Sequence, residues 1–171
     1  MISPKPVVQF RLLRSLCDGI REDLHRPHRH AAERVGFVTA KIGNAAGSPK
    51  LVIASEYHPV SDERYINDPL IGARIDGKAI LAAMQLARSQ GCGVFHTHMH
   101  PHKGQPRLSR PDIRELPEVV QSLRNVAPAQ AHGLLLLSYD RCTAFVLMPG
   151  EDLMREVNQV TVVGYPTELN G

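Results

Sequence analysis

Residues 76–98 read DGKAILAAMQLARSQGCGVFHTH, and this segment predicts a helix followed at once by a buried strand. Asp76 is a typical N-cap and Gly91 is a typical residue at which a helix ends. The strand over residues 93–98 is short, apolar and ends in two histidines. A helix joined to a strand in this way indicates an α/β fold class. The helix positions expected to face the core are Ile80, Leu81, Met84 and Leu86.

The upstream sequence continues the same α/β pattern. Residues 7–12 predict a strand that runs into a helix ending near Leu24. Residues 34–42 and 51–60 are two β-like runs. The turn between them is rich in Gly, Asn, Ser and Pro, so the two runs predict an antiparallel hairpin.

The downstream sequence predicts a loop over residues 99–108 and a second helix from Ser109 to about Asn125, which Pro117 could interrupt. Strands over 133–139 and 142–148 would flank the two-residue turn Asp140-Arg141, and the tail to Val163 could add one more strand. No linker or repeat divides the chain. We therefore predict a single domain over residues 1–171, with a core from about 7 to 150 and a mixed, mostly antiparallel sheet flanked by helices.

Composition excludes several classes of function. The 171 residues carry a net charge of +3 and only 5% are aromatic, without the basic stripe and stacking residues that nucleic-acid binding requires. No run approaches the roughly 20 apolar residues of a membrane span, and the first residues lack an apolar signal segment. We expect a cytoplasmic protein with no nucleic-acid and no membrane partner. The chain has three cysteines, which are far apart in the sequence: Cys17, Cys92 and Cys142. We expect each to be a small buried hydrophobic residue.

His96 and His98 are the strongest chemical signal in the chain. Alternate residues of a strand point to the same face, about 6.6–7 Å apart at Cα, so both imidazoles can reach a single zinc ion. Catalytic zinc usually takes three protein ligands and leaves a fourth position for water. Asp112 is the best candidate for the third ligand, because the first turn of the second helix points it back toward the loop that starts at the histidines.

Each half of this pattern also has an ordinary structural interpretation. Ser109 and Asp112 have the spacing of a capping box, and a His pair at i and i+2 is often no more than surface polarity. The occurrence of both patterns in one short window favours a metal site.

At this point the residues resemble a known family. The GVFHTH run at 93–98, followed by Ser109-Arg110-Pro111-Asp112, resembles the JAMM motif of JAB/MPN-domain zinc metallopeptidases, in which an upstream Glu accompanies H-[S/T]-H-P, a loop and S-x-x-D. Residues 33–38, ERVGFV, resemble the family's E-x-x-G-apolar-apolar segment. The resemblance implies the cytidine-deaminase-like α/β fold of that family.

The resemblance also implies the roles of individual residues. His96, His98 and Asp112 would bind one Zn²⁺ per chain, Glu33 would be the general base that activates a water, and Ser109 would help to stabilise the oxyanion. Glu56, on a neighbouring predicted strand, is the reserve candidate for the base.

One departure from the family motif leaves the ligand register open. Met99 stands where the family has Pro, while His98-Met99-His100-Pro101 repeats the HxHP string two residues later. The ligand pair is therefore 96/98 or 98/100, and His98 belongs to both. We prefer 96/98, because Thr97 fits the small hydroxyl position of the motif. His100 and His102 would then line the enlarged loop.

The resemblance implies hydrolysis of amide or isopeptide bonds at the C-terminal tail of a ubiquitin-like protein, as precursor processing or as deconjugation. The short chain looks like prokaryotic members, which act beside E1-like and E2-like enzymes of the same operon. The alternatives are a non-catalytic MPN-type scaffold, which would lack ligands or base, and another mononuclear zinc hydrolase. A zinc deaminase would need H-x-E and P-C-x-x-C, which are absent.

Overall fold

A computed structural model describes residues 6–43, 49–68 and 72–164. The chain has an α/β fold, as predicted. The turn of the 34–60 hairpin falls mostly outside the described residues. In chain order the elements are β1 (Val8–Leu13), α1 (Arg14–His25), β2 (Val35–Ile42), β3 (Lys50–Pro59), a 3₁₀ turn (Asp62–Arg64), α2 (Gly77–Gln90), β4 (Gly93–Met99), α3 (Arg110–Val126), β5 (His132–Leu137), β6 (Cys142–Leu147), β7 (Arg155–Glu156) and β8 (Gln159–Val163).

The strands form one mixed sheet in the order β7-β6-β5-β4-β2-β3-β1-β8. The predicted hairpin of β2 and β3 is confirmed, and β4 pairs antiparallel with β2 on the other side. Three pairs are parallel: β1 with β3, β1 with β8, and β4 with β5. The backbone amide of Val157 donates a hydrogen bond to the carbonyl of Ala144 on β6, and the amide of Asn158 donates to the carbonyl of Val8 on β1. The sheet therefore curls, and its two ends approach each other.

The helices cover both faces of the sheet. α1 packs on one face, where Cys17 and Ile20 join a core that includes Phe10 and Phe95. α2 and α3 cover the opposite face, where Val94 points. β4 and β5 are buried along their whole length, so neither strand shows the apolar–polar alternation of a half-exposed strand. The face under α2 and α3 is the one that carries the two histidines of β4.

The helix predicted over residues 76–91 is confirmed, and Ile80 and Met84 of its predicted apolar face pack against the core. Asp76 accepts a hydrogen bond from the Ala79 amide, and Gly91 ends the helix in the left-handed conformation at φ 53°. Leu81, however, is 50% exposed. The buried stripe consists of alanines four residues apart, whose small side chains let α2 pack closely on its neighbours: Ala79, Ala83 and Ala87.

Two other details differ from the sequence-based expectation. α3 continues without a break through Pro117, because the proline lies on the exposed face, where water can hydrate the carbonyl that loses its hydrogen bond. The β5–β6 turn lies one residue earlier than predicted. Leu137 pairs with Cys142 and Ser138 with Arg141, so the turn residues are Tyr139 and Asp140.

In the part of the chain that the structure describes, every helix is too short or too polar to cross a bilayer.

Candidate metal centre

The predicted site residues come together in one cleft of about 410 Å³. Three separate segments contribute to it: the loop before β2, the end of β4 and the first turn of α3. The five residues that the sequence analysis assigned to zinc or to catalysis all line this cleft: Glu33, His96, His98, Ser109 and Asp112. Their convergence follows from the fold, since they are spread over 80 positions of sequence.

β4 places the two histidines side by side on the helix-covered face of the sheet. His96 lies opposite Phe37 of β2, and His98 lies opposite Val35. Thr97 points to the other face, where its hydroxyl donates to the Leu135 carbonyl at 2.7 Å. His96 is 5% exposed and His98 is 2% exposed. The Nδ1 atoms of both rings are buried and lack a hydrogen-bond partner within the described ranges.

Asp112 forms the capping box that the sequence allowed and also contacts His98. Its Oδ2 accepts the Ser109 amide at 2.7 Å, and its own amide donates to the Ser109 hydroxyl at 3.3 Å, which completes a capping box. Its Oδ1 lies 3.3 Å from Nε2 of His98. The cap therefore fixes the carboxylate in the orientation that brings it against the histidine.

His100 belongs to the same cluster. Its Nε2 lies 3.1 Å from Nε2 of His98 and 3.6 Å from Oδ2 of Asp112. The backbone amide of His100 donates to the Leu137 carbonyl at 2.9 Å, so the pairing of β4 with β5 extends one residue further and fixes the main chain at this residue. The Nδ1 atom of His102 contacts the Lys103 carbonyl at 2.8 Å, and its ring centroid is 5.9 Å from that of His100.

Glu33 reaches the cluster from the loop before β2. Its amide donates to the Gly72 carbonyl at 2.9 Å. A carboxylate oxygen of Glu33 and ring nitrogens of His98 and His100 lie within 4.8 Å of one another, and this tight group includes neither His96 nor Asp112. Glu56, the reserve base, lies outside the cleft on β3, where its exposed carboxylate is 3.3 Å from His58.

Burial and neighbouring charges set the protonation of the cluster. Burial, helped by the neighbouring His98 ring, lowers the pKa of His96 to about 3. The hydrogen bond to Asp112 raises the pKa of His100 above its ordinary value. Burial works to raise the pKa of Asp112, but hydrogen bonds from His100, His98 and Ser109 outweigh it and hold that pKa far below its usual range. Asp112 is therefore an anion, and His96 is neutral as a metal ligand must be.

The residues present fit a zinc ion. Imidazole nitrogens and one carboxylate are the ligand atoms that zinc prefers in catalytic sites. Nε2 of His98 lies 3.1 Å from Nε2 of His100 and 3.3 Å from Oδ1 of Asp112, while the other Asp112 oxygen, Oδ2, lies 3.6 Å from His100. Ligand atoms around a tetrahedral zinc with bonds of 2.0–2.1 Å are about 3.3 Å apart, so the spacing matches.

Some residues that line the cleft were not predicted. Residues 72–75 lie beside Glu33 and close one wall, and nothing in their sequence marks them. Glu115 also lines the cleft. It follows Asp112 by three positions on the same helix, and this spacing could have identified it.

Comparison with known proteins gave no matching family model and no matching curated protein.

Proposed function

We propose that this chain is a zinc-dependent metallopeptidase of the JAB/MPN type, with one zinc ion held by His96, His98 and Asp112. It would act in the cytoplasm on amide or isopeptide bonds at the C-terminal tail of a ubiquitin-like protein. The observation that carries the proposal is the contact of Asp112 with His98 at 3.3 Å, made by a carboxylate that the helix cap holds in place.

Glu33 has the position of a general base. It lies beside the ligand cluster but is carried by a different segment, and its carboxylate is within 4.8 Å of the nearest ring nitrogens. A carboxylate at this place can accept a proton from an attacking water and deliver it to the leaving amine, a role worth typically 10²–10⁴-fold in rate. When bound, zinc would polarise the scissile carbonyl and lower the pKa of water toward about 7.

Ser109 is placed to stabilise negative charge. Its oxygen accepts the Asp112 amide, and the hydroxyl hydrogen remains available for donation into the cleft. A donor that meets a developing oxyanion contributes on the order of 3–4 kcal/mol where such contacts have been measured. The same residue therefore begins α3 and can serve the reaction.

The substrate class follows from the resemblance to JAB/MPN peptidases. The same resemblance implies a narrow groove beside the metal that passes only small residues, so we expect hydrolysis after a Gly-ending tail. E1-like and E2-like enzymes encoded in the same operon are the expected partners.

The experiment that tests this proposal is cleavage of a ubiquitin-like protein fused at its C-terminus to a reporter. The zinc-loaded protein should release the reporter, and both a chelator and the His98→Ala substitution should stop the release. A zinc-loaded protein that cleaves none of a panel of such fusions, or a His98→Ala variant as active as the parent, would contradict it.

A further inference from the structure

We propose that His100 is a fourth protein ligand of the zinc ion, which closes the position where water must bind and keeps the resting site inactive. This inference rests on the proposed function and adds a regulatory step to it. The site would open when the His100 side chain rotates away. Three geometric observations support it, and a matched pair of variants tests it.

The first observation is the convergence of ligand atoms. Nε2 of His100 is 3.1 Å from Nε2 of His98 and 3.6 Å from Asp112. These are the separations of ligand atoms that share one tetrahedral ion, about 3.3 Å. The ring nitrogen of His102, on the same loop, lies instead against the Lys103 carbonyl.

The second observation is the spacing of the three rings. The ring centroids are 5.5 Å apart for His96 and His98, and 5.0 Å apart for His98 and His100. Two imidazoles on one tetrahedral zinc have centroids about 5.2 Å apart, if each nitrogen is 2.0–2.1 Å from the ion. Both pairs are close to this value, while the ring centroids of His100 and His102 are farther apart, at 5.9 Å.

The third observation is the place of Glu33. Its carboxylate oxygen and the nitrogens of His98 and His100 lie within 4.8 Å of one another. A water activated by Glu33 must lie between that carboxylate and the metal ligands. The ring of His100 is in this region, so the water and the ring would compete for one position. Zinc with four protein ligands is typical of structural rather than catalytic sites.

Opening the site would not require the loop to move. The His100 amide is bonded to Leu137, the His102 amide donates to the His100 carbonyl at 2.8 Å, and the Tyr139 amide donates to the His102 carbonyl at 3.0 Å. The backbone on both sides of His100 is therefore fixed to the β5–β6 turn. The side chain is 12% exposed, and a change of rotamer is enough to move the ring.

The test compares His100→Ala with His102→Ala in the full chain. His102 provides the control because it is on the same loop and its ring contacts Lys103. Zinc affinity is measured by competition with a chelator, and access to the metal by titrating the visible spectrum of the cobalt-loaded protein with azide. Loss of a side chain that only hydrogen-bonds to a metal ligand typically weakens metal binding by about 10–100-fold. We expect His100→Ala to weaken zinc binding by more than this. We also expect the spectrum of its cobalt-loaded form to respond to azide. The parent and His102→Ala should be insensitive.

Peptidase activity gives the second readout. If the open state is a minor one, populated at about 10% or less, His100→Ala at saturating zinc should cleave the fusion about tenfold faster or more. Unchanged zinc affinity in His100→Ala overturns the inference. Weaker affinity with lost cleavage also overturns it, since His100 would then be an essential ligand. In both of these outcomes the unsubstituted protein still binds zinc, so the proposed function stands. If the unsubstituted protein binds zinc no better than His98→Ala does, the proposed function itself is refuted.

Discussion

Asp112 illustrates how one side chain can serve the fold and the chemistry together. One carboxylate oxygen accepts the Ser109 amide and begins α3, while the other lies against His98. Burial alone would raise the pKa of this group, but three hydrogen bonds hold it ionised. The two interpretations of S-x-x-D, cap and ligand, are therefore compatible, because each uses a different oxygen.

Substitution of Glu33 by Gln should separate catalysis from metal binding. The amide keeps the size of the side chain but cannot accept a proton, so kcat on a cleavable fusion should fall by about 10²–10⁴-fold. Zinc affinity should stay close to that of the parent, because in the proposed mechanism Glu33 acts on the water and is not a ligand of the metal. Steady-state kinetics and chelator competition measure the two quantities. Glu56→Gln, on the exposed part of β3, is the control. Equal loss of activity in both variants would remove Glu33 from the role of base.

His96 should make the metal-free protein sensitive to acid. Its pKa is about 3 in the fold, against an ordinary value of 6.5. Between these values the unfolded chain binds the proton and the folded chain does not, so the free energy of unfolding falls as the pH drops below about 6.5. The slope from one group is at most about 1.4 kcal/mol per pH unit.

Urea unfolding of chelator-treated protein, between about pH 4 and 7, measures this slope. We expect His96→Gln to flatten it and the exposed control His102→Gln to leave it unchanged. An unaltered slope in His96→Gln would show that another group carries the acid sensitivity. His132, whose pKa burial also lowers, is the first alternative.

At the scale of elements, the start of α3 determines how firmly the ligand segment is held. Ser109→Ala removes the cap and should lower the free energy of unfolding by about 1 kcal/mol. Ser122 lies on the exposed side of the same helix, where its hydroxyl donates to the Glu118 carbonyl at 2.9 Å. Ser122→Ala should change stability by less than about 0.5 kcal/mol. Denaturant titration compares the two, and equal effects would mean that the capping box contributes nothing.

The neighbouring strand β3 explains why position 36, the Gly of the E-x-x-G segment, has no side chain. A Cβ on Gly36 would overlap the ring of Tyr57 on β3, whose hydroxyl donates to Asp23 at 2.6 Å. Gly36→Ala should therefore destabilise the protein by about 1–3 kcal/mol. Gly19→Ala on the open side of α1 should instead stabilise it by up to about 1 kcal/mol, because nothing lies near the added methyl group. Thermal unfolding of both variants tests this contrast, and a stable Gly36→Ala would contradict it.

Local elements could be read from the sequence where local chemistry defines them. The caps of α2, the β2–β3 hairpin and the positions of His96 and His98 on one strand followed from caps, turns and side-chain alternation. The alanine stripe of α2 could not, because apolar patterns are weighted toward large residues. The contact of His100 with Asp112 depends on how the loop is fastened to β5, which the spacing of residues does not reveal.

For the whole molecule, the order of strands is what assembles the site. β4 lies between β2 and β5, so the loop that carries Glu33 reaches the end of the histidine strand from one side. α3 covers the same face, and its first turn places Asp112 against His98. No local pattern specifies that β1 pairs in parallel with both β3 and β8, because the partners are remote in sequence. The sheet order therefore had to come from the structure.

The central claim is that these three segments hold one zinc ion, and metal content measures it most directly. Protein purified with zinc and passed through a desalting column should retain about one zinc per chain, and His98→Ala should retain almost none. His102→Ala should match the parent. A parent chain that emerges without zinc, or a His98→Ala variant that keeps a full equivalent, would contradict the assignment of this cleft as a metal centre.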